Sequence, residues 1–163
     1  PLQRPIVGCM ALCLGRGVLV APEVTDAHLL VNFLNGMRDP LQRYLCDLDV
    51  TGNLSAGRDV EQLLPDRYEL DQRVIRFVSI EQANLNAWRV RLCEVFDNGA
   101  PGFIDVYEFE AVDPDHPFGT EWTFDSVDGA LRFARDVLRT SQGRYVNQGL
   151  IQDEYKDRYH PEW

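Results

Sequence analysis

The feature that most constrains the fold is a pair of strand-like segments on either side of a turn-rich stretch. Residues 88–96 and 103–112 alternate apolar and polar side chains, and residues 97–102 read Asp-Asn-Gly-Ala-Pro-Gly. Alternation with a period of two is typical of a strand with one buried face, and Asn, Gly and Pro are typical of turns. The pattern predicts an antiparallel β-hairpin.

The side chains of the two segments also predict a register for this hairpin. A turn centred between residues 99 and 100 places three apolar pairs on one face: Trp88 with Ala111, Val90 with Phe109, and Leu92 with Tyr107. The other face then pairs Arg89 with Glu110 and Arg91 with Glu108. A slip of one residue would move every side chain to the opposite face. We therefore expect Glu108 and Glu110 to be partners of the two arginines, and the apolar face to pack under a helix at residues 127–138.

The same register sets Glu94 opposite Asp105 on the apolar face. Two carboxylates directly opposed on neighbouring strands repel each other, and burial would raise the pKa of at least one. Three explanations are open. The pair extends beyond the sheet into water, or receives an arginine or lysine of a partner, or binds a metal or acts as an acid/base pair.

The remaining elements are predicted from periodicity, caps and breakers. Strands are expected at residues 6–14 and 18–20, with a buried helix as the alternative for the first, and at residues 68–80 and 121–124. Helices are expected at residues 25–34, at residues 39–50 with an end at Thr51-Gly52-Asn53, and at residues 56–64, with a single helical turn from Ser79. Ser126 is the predicted N-cap of a last helix that Gly143 closes, and residues 144–163 form a partly irregular aromatic tail. Together they predict one α+β domain over residues 1–163, an antiparallel sheet packed against helices.

The charge of the chain is concentrated in one segment. Residues 92–131 hold ten of the 26 acidic residues and no lysine or arginine, whereas the remainder balances 16 acids with 16 bases. The net charge of −10 therefore comes from this segment alone. An acidic surface attracts basic partners and disfavours nucleic-acid phosphates. The charge pattern predicts a basic protein partner and no nucleic acid; no membrane is expected either. The predicted partner-binding residues are Glu94, Asp97, Asp105, Asp113, Asp115 and Glu121.

The four cysteines and the amino-terminal segment bear on the compartment. Four cysteines are few for a disulfide scaffold of 163 residues, so we expect reduced thiols, with Cys9 and Cys13 packed as small apolar groups. The apolar run at residues 6–14 is too short to cross a bilayer and lacks a signal-peptide cleavage pattern. These observations predict a cytoplasmic protein.

Residues 113–116, Asp-Pro-Asp-His, are the densest group of possible metal ligands. Oxygen ligands with one imidazole suit a divalent ion, but the same residues are common in loops, and the spacing matches neither a calcium loop nor a two-histidine zinc helix. The glycines at 15 and 17 lack the third glycine of a dinucleotide fingerprint, and Pro1 lacks the surrounding pattern of a catalytic amine. The sequence therefore predicts no cofactor and favours a non-enzymatic protein.

In overall character the chain resembles the small acidic α+β immunity proteins that bacteria keep in the cytoplasm against polymorphic toxins. The resemblance lies in composition and implies an inhibitor whose acidic hairpin blocks a basic site on a partner such as a toxin or nuclease. Two alternatives stay open. One is a divalent-cation-dependent hydrolase that uses Glu94, Asp105, Asp113, Asp115 and His116. The other is a non-catalytic subunit of a larger assembly.

Overall fold

The structure, a computed structural model, describes residues 43–163. The predicted strands at residues 6–14 and 18–20, the predicted helix at residues 25–34 and the start of the helix at residues 39–50 lie outside the described residues, as do Cys9 and Cys13. Whether residues 1–163 form one domain stays a prediction.

Residues 43–163 form an antiparallel sheet with helices packed on it, and the α+β prediction is confirmed. The elements in chain order are α1 (Asp47–Ser55), β1 (Val60–Leu63), β2 (Arg67–Glu69), β3 (Gln72–Asn84), β4 (Ala87–Phe96), β5 (Thr120–Phe124), α2 (Val127–Asp136), β6 (Val146–Asn147) and α3 (Ile151–Tyr159). The sheet has six strands in the order β5-β4-β3-β1-β6, and β2 pairs with β3 beside this path. Within residues 43–163 no helix is long and apolar enough to cross a membrane.

Both faces of the sheet carry a hydrophobic core, because β3 is apolar on both sides. Val78 and Ile80 contact the core formed with α1 and α2, which we call the helix face. Ile75 and Phe77 point the other way, into a core that contains Val106, Phe109 and residues of α3. We call this second side the loop face, since residues 104–109 cover part of it. The strand alternation therefore decides which side chains reach each core.

The hairpin predicted from residues 88–96 and 103–112 is wrong. Strand β4 exists, but it pairs with β3 along its whole length and with β5 from Trp88 to Leu92. Residues 110–112 contact β4 only beyond the end of β5, where the Phe96 amide donates to Glu110 O at 2.8 Å and the Val112 amide to Glu94 O at 3.0 Å. A strand has two edges; β3 occupies one edge of β4 throughout, and β5 occupies the other from Trp88 to Leu92. Residues 103–109 are left to form turns.

The predicted helix at residues 56–64 is also wrong, because Val60–Leu63 form strand β1 between β3 and β6. Apolar residues at 60, 63 and 64 fit a helix as well as a strand, and pairing with β3 decides between them. The helical turn expected from Ser79 is likewise replaced by the continuous strand β3. Helix α1 begins only at Asp47, later than the helix predicted at residues 39–50, and it continues through Thr51-Gly52-Asn53 to Ser55, beyond the predicted end.

The strand predicted at residues 121–124 and the N-cap predicted at Ser126 are confirmed. Strand β5 lies at the predicted place, and Ser126 caps α2 by accepting a hydrogen bond from the Gly129 amide at 3.2 Å. Helix α2 ends at Asp136, before the predicted closure at Gly143. Trp88, Val90 and Leu92 belong to the core under α2, as expected. Tyr107 and Phe109 do not. Phe109 packs in the core of the opposite face, and Tyr107 has its ring against Phe77 there.

Candidate functional site

Glu94 lies between two arginines of neighbouring strands, not opposite Asp105. Arg76, its register partner on β3, donates from Nε at 2.7 Å, and Arg67 of β2 donates from Nε at 3.3 Å. Partial burial acts to raise the pKa of Glu94, but the two guanidinium groups outweigh it and hold the pKa below its usual range. The like-charged pair expected from the hairpin register is therefore absent.

Asp97 lies in a polar cluster at the end of β4 and is only 11% exposed. Its carboxylate accepts hydrogen bonds from the Tyr155 hydroxyl and from Arg73 Nη1 at 3.2 Å, and His160 Nε2 lies 3.3 Å from it. His160 in turn stacks on Trp163 with the ring centroids 3.7 Å apart. Asp97 thus ties the aromatic carboxyl-terminal tail to the sheet.

Glu121 takes part in a network of four charged side chains on the loop face. Arg91 pairs with Glu121 at 2.8 Å and with Glu81 at 3.4 Å, and Arg89 pairs with the same two acids at 3.4 Å and 2.9 Å. The expectation that Glu108 and Glu110 are the partners of these arginines is therefore wrong. Because the two arginines and two glutamates cancel, this part of the sheet carries no net charge.

The other predicted site residues lie in the segment between β4 and β5. Asp105 is half-buried and accepts a hydrogen bond from Gln152 Nε2 at 2.7 Å. Asp113 and Asp115 are exposed. Asp113 Oδ2 lies 2.8 Å from His116 Nδ1, and this hydrogen bond lowers the pKa of the Asp113 carboxyl. The six predicted partner-binding residues therefore do not form one patch, since arginines from other strands neutralise Glu94, Asp97 and Glu121.

The residues of the hydrolase alternative are not brought together as a metal centre. Among residues 43–163, no three His, Cys, Asp or Glu side chains are grouped so that they could hold a metal ion. Glu94 is engaged by arginines and Asp105 by Gln152, while Asp113 and His116 contact each other in an exposed turn.

The sequence interpretation missed Glu61, the most deeply buried carboxyl of the loop face. Its side chain points from β1 into this face beside Ser79 and is 1% exposed. The Tyr107 hydroxyl lies 2.6 Å from both carboxylate oxygens, and the Gly149 amide donates to Oε2 at 3.1 Å. Burial raises the pKa of Glu61, and no basic group of residues 43–163 forms an ion pair with it. The one available signal was a glutamate among the apolar residues at positions 60, 63 and 64.

Glu61 borders a pocket of about 330 Å³ on the loop face, which we call the Glu61 pocket. Its lining residues are Glu61, Phe77, Ser79, Arg91, Cys93, Val95, Val106, Tyr107, Pro117, Phe118 and Gln148. The Phe118 side chain at its rim is 78% exposed. A concave apolar pocket with a few polar groups is the usual form of a binding site. Burial raises the pKa of the Cys93 thiol to about 12, so the pocket offers no thiolate nucleophile at neutral pH.

Comparison of the chain with protein-family models, with curated proteins and with solved structures finds no match.

Proposed function

We propose that this chain is a non-enzymatic binding protein of the inhibitor or immunity type, which neutralises a basic protein partner such as a toxin or nuclease. The contact surface is the acidic loop, which we define as residues 103–119, between β4 and β5. The proposal places the protein in the bacterial cytoplasm, in agreement with free thiols at Cys46 and Cys93. It is carried by one observation, the combination of exposed carboxylates and exposed aromatic rings in this loop.

The carboxylates of the acidic loop that support the proposal are those without an arginine partner. Glu108, Glu110, Asp113 and Asp115 are all exposed, and the loop contains no lysine or arginine. Among these four carboxylates, only Asp113 has an ion-pair partner within residues 43–163, and that partner is His116. Their combined charge is therefore available to attract a cationic surface and to accelerate its encounter.

The aromatic rings of the acidic loop provide contact area beside this charge. The exposed fractions are 78% for Phe118, 44% for Tyr107 and 37% for Phe103. Aromatic residues are enriched in protein interfaces, and Trp and Tyr are common among the few residues that carry most of the binding energy. A loop with exposed acids and exposed aromatics has both the steering charge and the apolar anchors that such a surface needs.

The acidic loop is also held in place on the sheet. Val106 is fully buried and Phe109 is 6% exposed, both in the core of the loop face. The Phe109 ring meets the Tyr155 ring edge-on at 5.3 Å between centroids. A loop anchored in this way loses less conformational entropy when a partner binds, which favours affinity.

The test compares two charge reversals of equal size. Glu108→Lys with Asp115→Lys changes the loop, and the control pair Asp49→Lys with Asp136→Lys changes exposed residues of α1 and α2 on the helix face. Each pair moves the net charge from −10 to −6, because each of its two substitutions adds two positive charges. A partner captured from cells that express the chain is purified and titrated with each variant at two ionic strengths.

We expect the loop pair to weaken binding about tenfold or more, equal to about 1.4 kcal/mol, and the control pair to change it little. The association rate of the unchanged protein should fall as salt screens the loop. Equal weakening by both pairs means that only net charge matters, and the proposed surface is then wrong.

A further inference from the structure

We infer that the Glu61 pocket receives one lysine or arginine side chain of the basic partner. This inference rests on the proposed function and deepens it, because it names the residue type that the partner inserts. It assigns a role to the buried carboxyl that the acidic loop alone does not explain.

The first argument is the charge of the pocket. Glu61 is almost fully buried, yet no basic group of residues 43–163 pairs with it. Arg91 lines the same pocket, but its guanidinium already pairs with Glu81 and Glu121. A buried carboxylate without a cation is unfavourable, and an inserted ammonium or guanidinium group would supply the missing charge.

The second argument is the hydrogen-bonding capacity of Glu61. The Tyr107 hydroxyl is within 2.6 Å of both carboxylate oxygens but has a single proton to donate. The Gly149 amide satisfies one lone pair of Oε2 at 3.1 Å. An ionised carboxylate accepts about four hydrogen bonds, so Glu61 keeps acceptor capacity for a further donor. Lysine and arginine side chains are pure donors and match this need.

The third argument is the shape of the pocket. Phe77, Val95 and Val106 form an apolar wall, and the exposed ring of Phe118 lies at the entrance. Lysine and arginine bury their methylene stems against such walls while the charged end finds a polar partner. A volume of about 330 Å³ is at the small end of ligand pockets, which begin at about 300 Å³. This size suits one long side chain better than a cofactor.

The inference is first tested on the chain alone, with small probes in place of the partner. n-Butylammonium and n-butylguanidinium represent the two cationic side chains, and 1-butanol and butyrate are the neutral and anionic counterparts of the same length. Amide chemical shifts are followed by ¹⁵N–¹H NMR during titration. We expect saturable shifts at residues 61, 107 and 149 with the cations, at least tenfold weaker binding of butanol, and none of butyrate. Preferential binding of butyrate would assign the pocket to anions through Arg91, and equal binding of butanol would make it merely apolar; either result overturns the inference.

Variants of the pocket complete the test. Glu61→Gln keeps the size of the side chain and removes its charge, so we expect cation binding to weaken tenfold or more. Phe118→Ala removes an exposed ring at the rim and should weaken it severalfold, whereas Leu48→Ala, an equally exposed apolar residue of α1, should leave it unchanged. If Glu61→Gln fails to fold, Phe118→Ala decides the matter, because wild-type affinity in that variant contradicts the inference.

The same Glu61→Gln variant, titrated with the captured partner, separates the two proposals. If the loop pair Glu108→Lys with Asp115→Lys weakens the complex and Glu61→Gln does not, the acidic loop binds the partner without using the pocket. The inference then fails and the proposed function stands. If the loop pair behaves as its control pair does, the proposed function fails; cation-selective binding of the probes would then still support a pocket for a cationic side chain, and its absence would overturn the inference as well.

Discussion

Substitution of Gly99 by alanine tests how the loop after β4 is fastened to α3. A Cβ at this position would overlap the hydroxyl oxygen of Tyr155 and lie 3.0 Å from its Cζ and 3.1 Å from Cη2 of Trp163. Tyr155 is fully buried and its hydroxyl donates to Asp97, so it has no free space into which to move. The loss of a hydrogen bond to a charged group costs about 1.5–3 kcal/mol, and overpacking costs about 1–3 kcal/mol. We therefore expect the free energy of unfolding to fall by about 2.5–6 kcal/mol.

The assay is urea denaturation of the full chain, followed by tryptophan fluorescence and by circular dichroism, which should give coincident transitions. The matched control is Gly52→Ala in the interior of α1, where an added Cβ meets nothing within 4 Å. There alanine should stabilise the protein by about 0.5–1 kcal/mol, because glycine is a poor helix former. A Gly99→Ala variant as stable as the wild type would refute the close packing of this loop on Tyr155.

Three further measurements follow from the titratable groups. Burial raises the pKa of Glu61, so the wild type loses stability as the pH rises from the ordinary pKa of 4.5 through the raised pKa and Glu61 loses its proton. The Glu61→Gln variant has no such proton to lose, so its stability relative to the wild type should increase between pH 4.5 and neutral pH. A decrease, measured by urea titration, would contradict this. Partial burial acts to raise the pKa of Glu94, but the arginine contacts lower it, so the stability that the ionised carboxylate contributes is lost as the pH falls through the lowered pKa. Glu94→Gln should therefore reduce the free energy of unfolding by about 0.5–1 kcal/mol at neutral pH and by less in acid. A reduction that does not change with pH would contradict the ion pairing of Glu94. Burial raises the pKa of the Cys93 thiol to about 12, so a thiol reagent at mildly alkaline pH should modify Cys46 in the native protein and Cys93 only after unfolding, as read by peptide mass spectrometry.

The acidic segment shows how charge that is separated along the chain becomes mixed in space. Residues 92–131 contain no lysine or arginine, yet Arg67, Arg73 and Arg76 of β2 and β3 neutralise Glu94 and Asp97. These arginines come from outside the segment and reach it because β3 is the neighbour of β4. Strand pairing therefore decides which carboxylates stay free, and it leaves the exposed acids of residues 103–119 as the candidate contact surface.

Features that depend on neighbours in sequence could be predicted. Ser126 caps α2 because its hydroxyl reaches an amide three residues later, a contact that requires no information from the rest of the chain. The strand predicted at residues 121–124 and the common face of Trp88, Val90 and Leu92 follow from local periodicity in the same way. Periodicity specifies which side chains share a face, and this part of the interpretation is confirmed.

The tertiary structure alone decided which strands are neighbours and where Glu61 lies. Alternating side chains define the two faces of a strand, but its backbone edges carry the same donors and acceptors whatever the sequence. Alternation therefore does not say which segments pair with β4, and in the structure its partners are β3 and β5. Glu61 became the centre of a pocket for the same reason. Pairing of β1 with β3 turned its carboxyl toward Tyr107, which is 46 residues away in the chain.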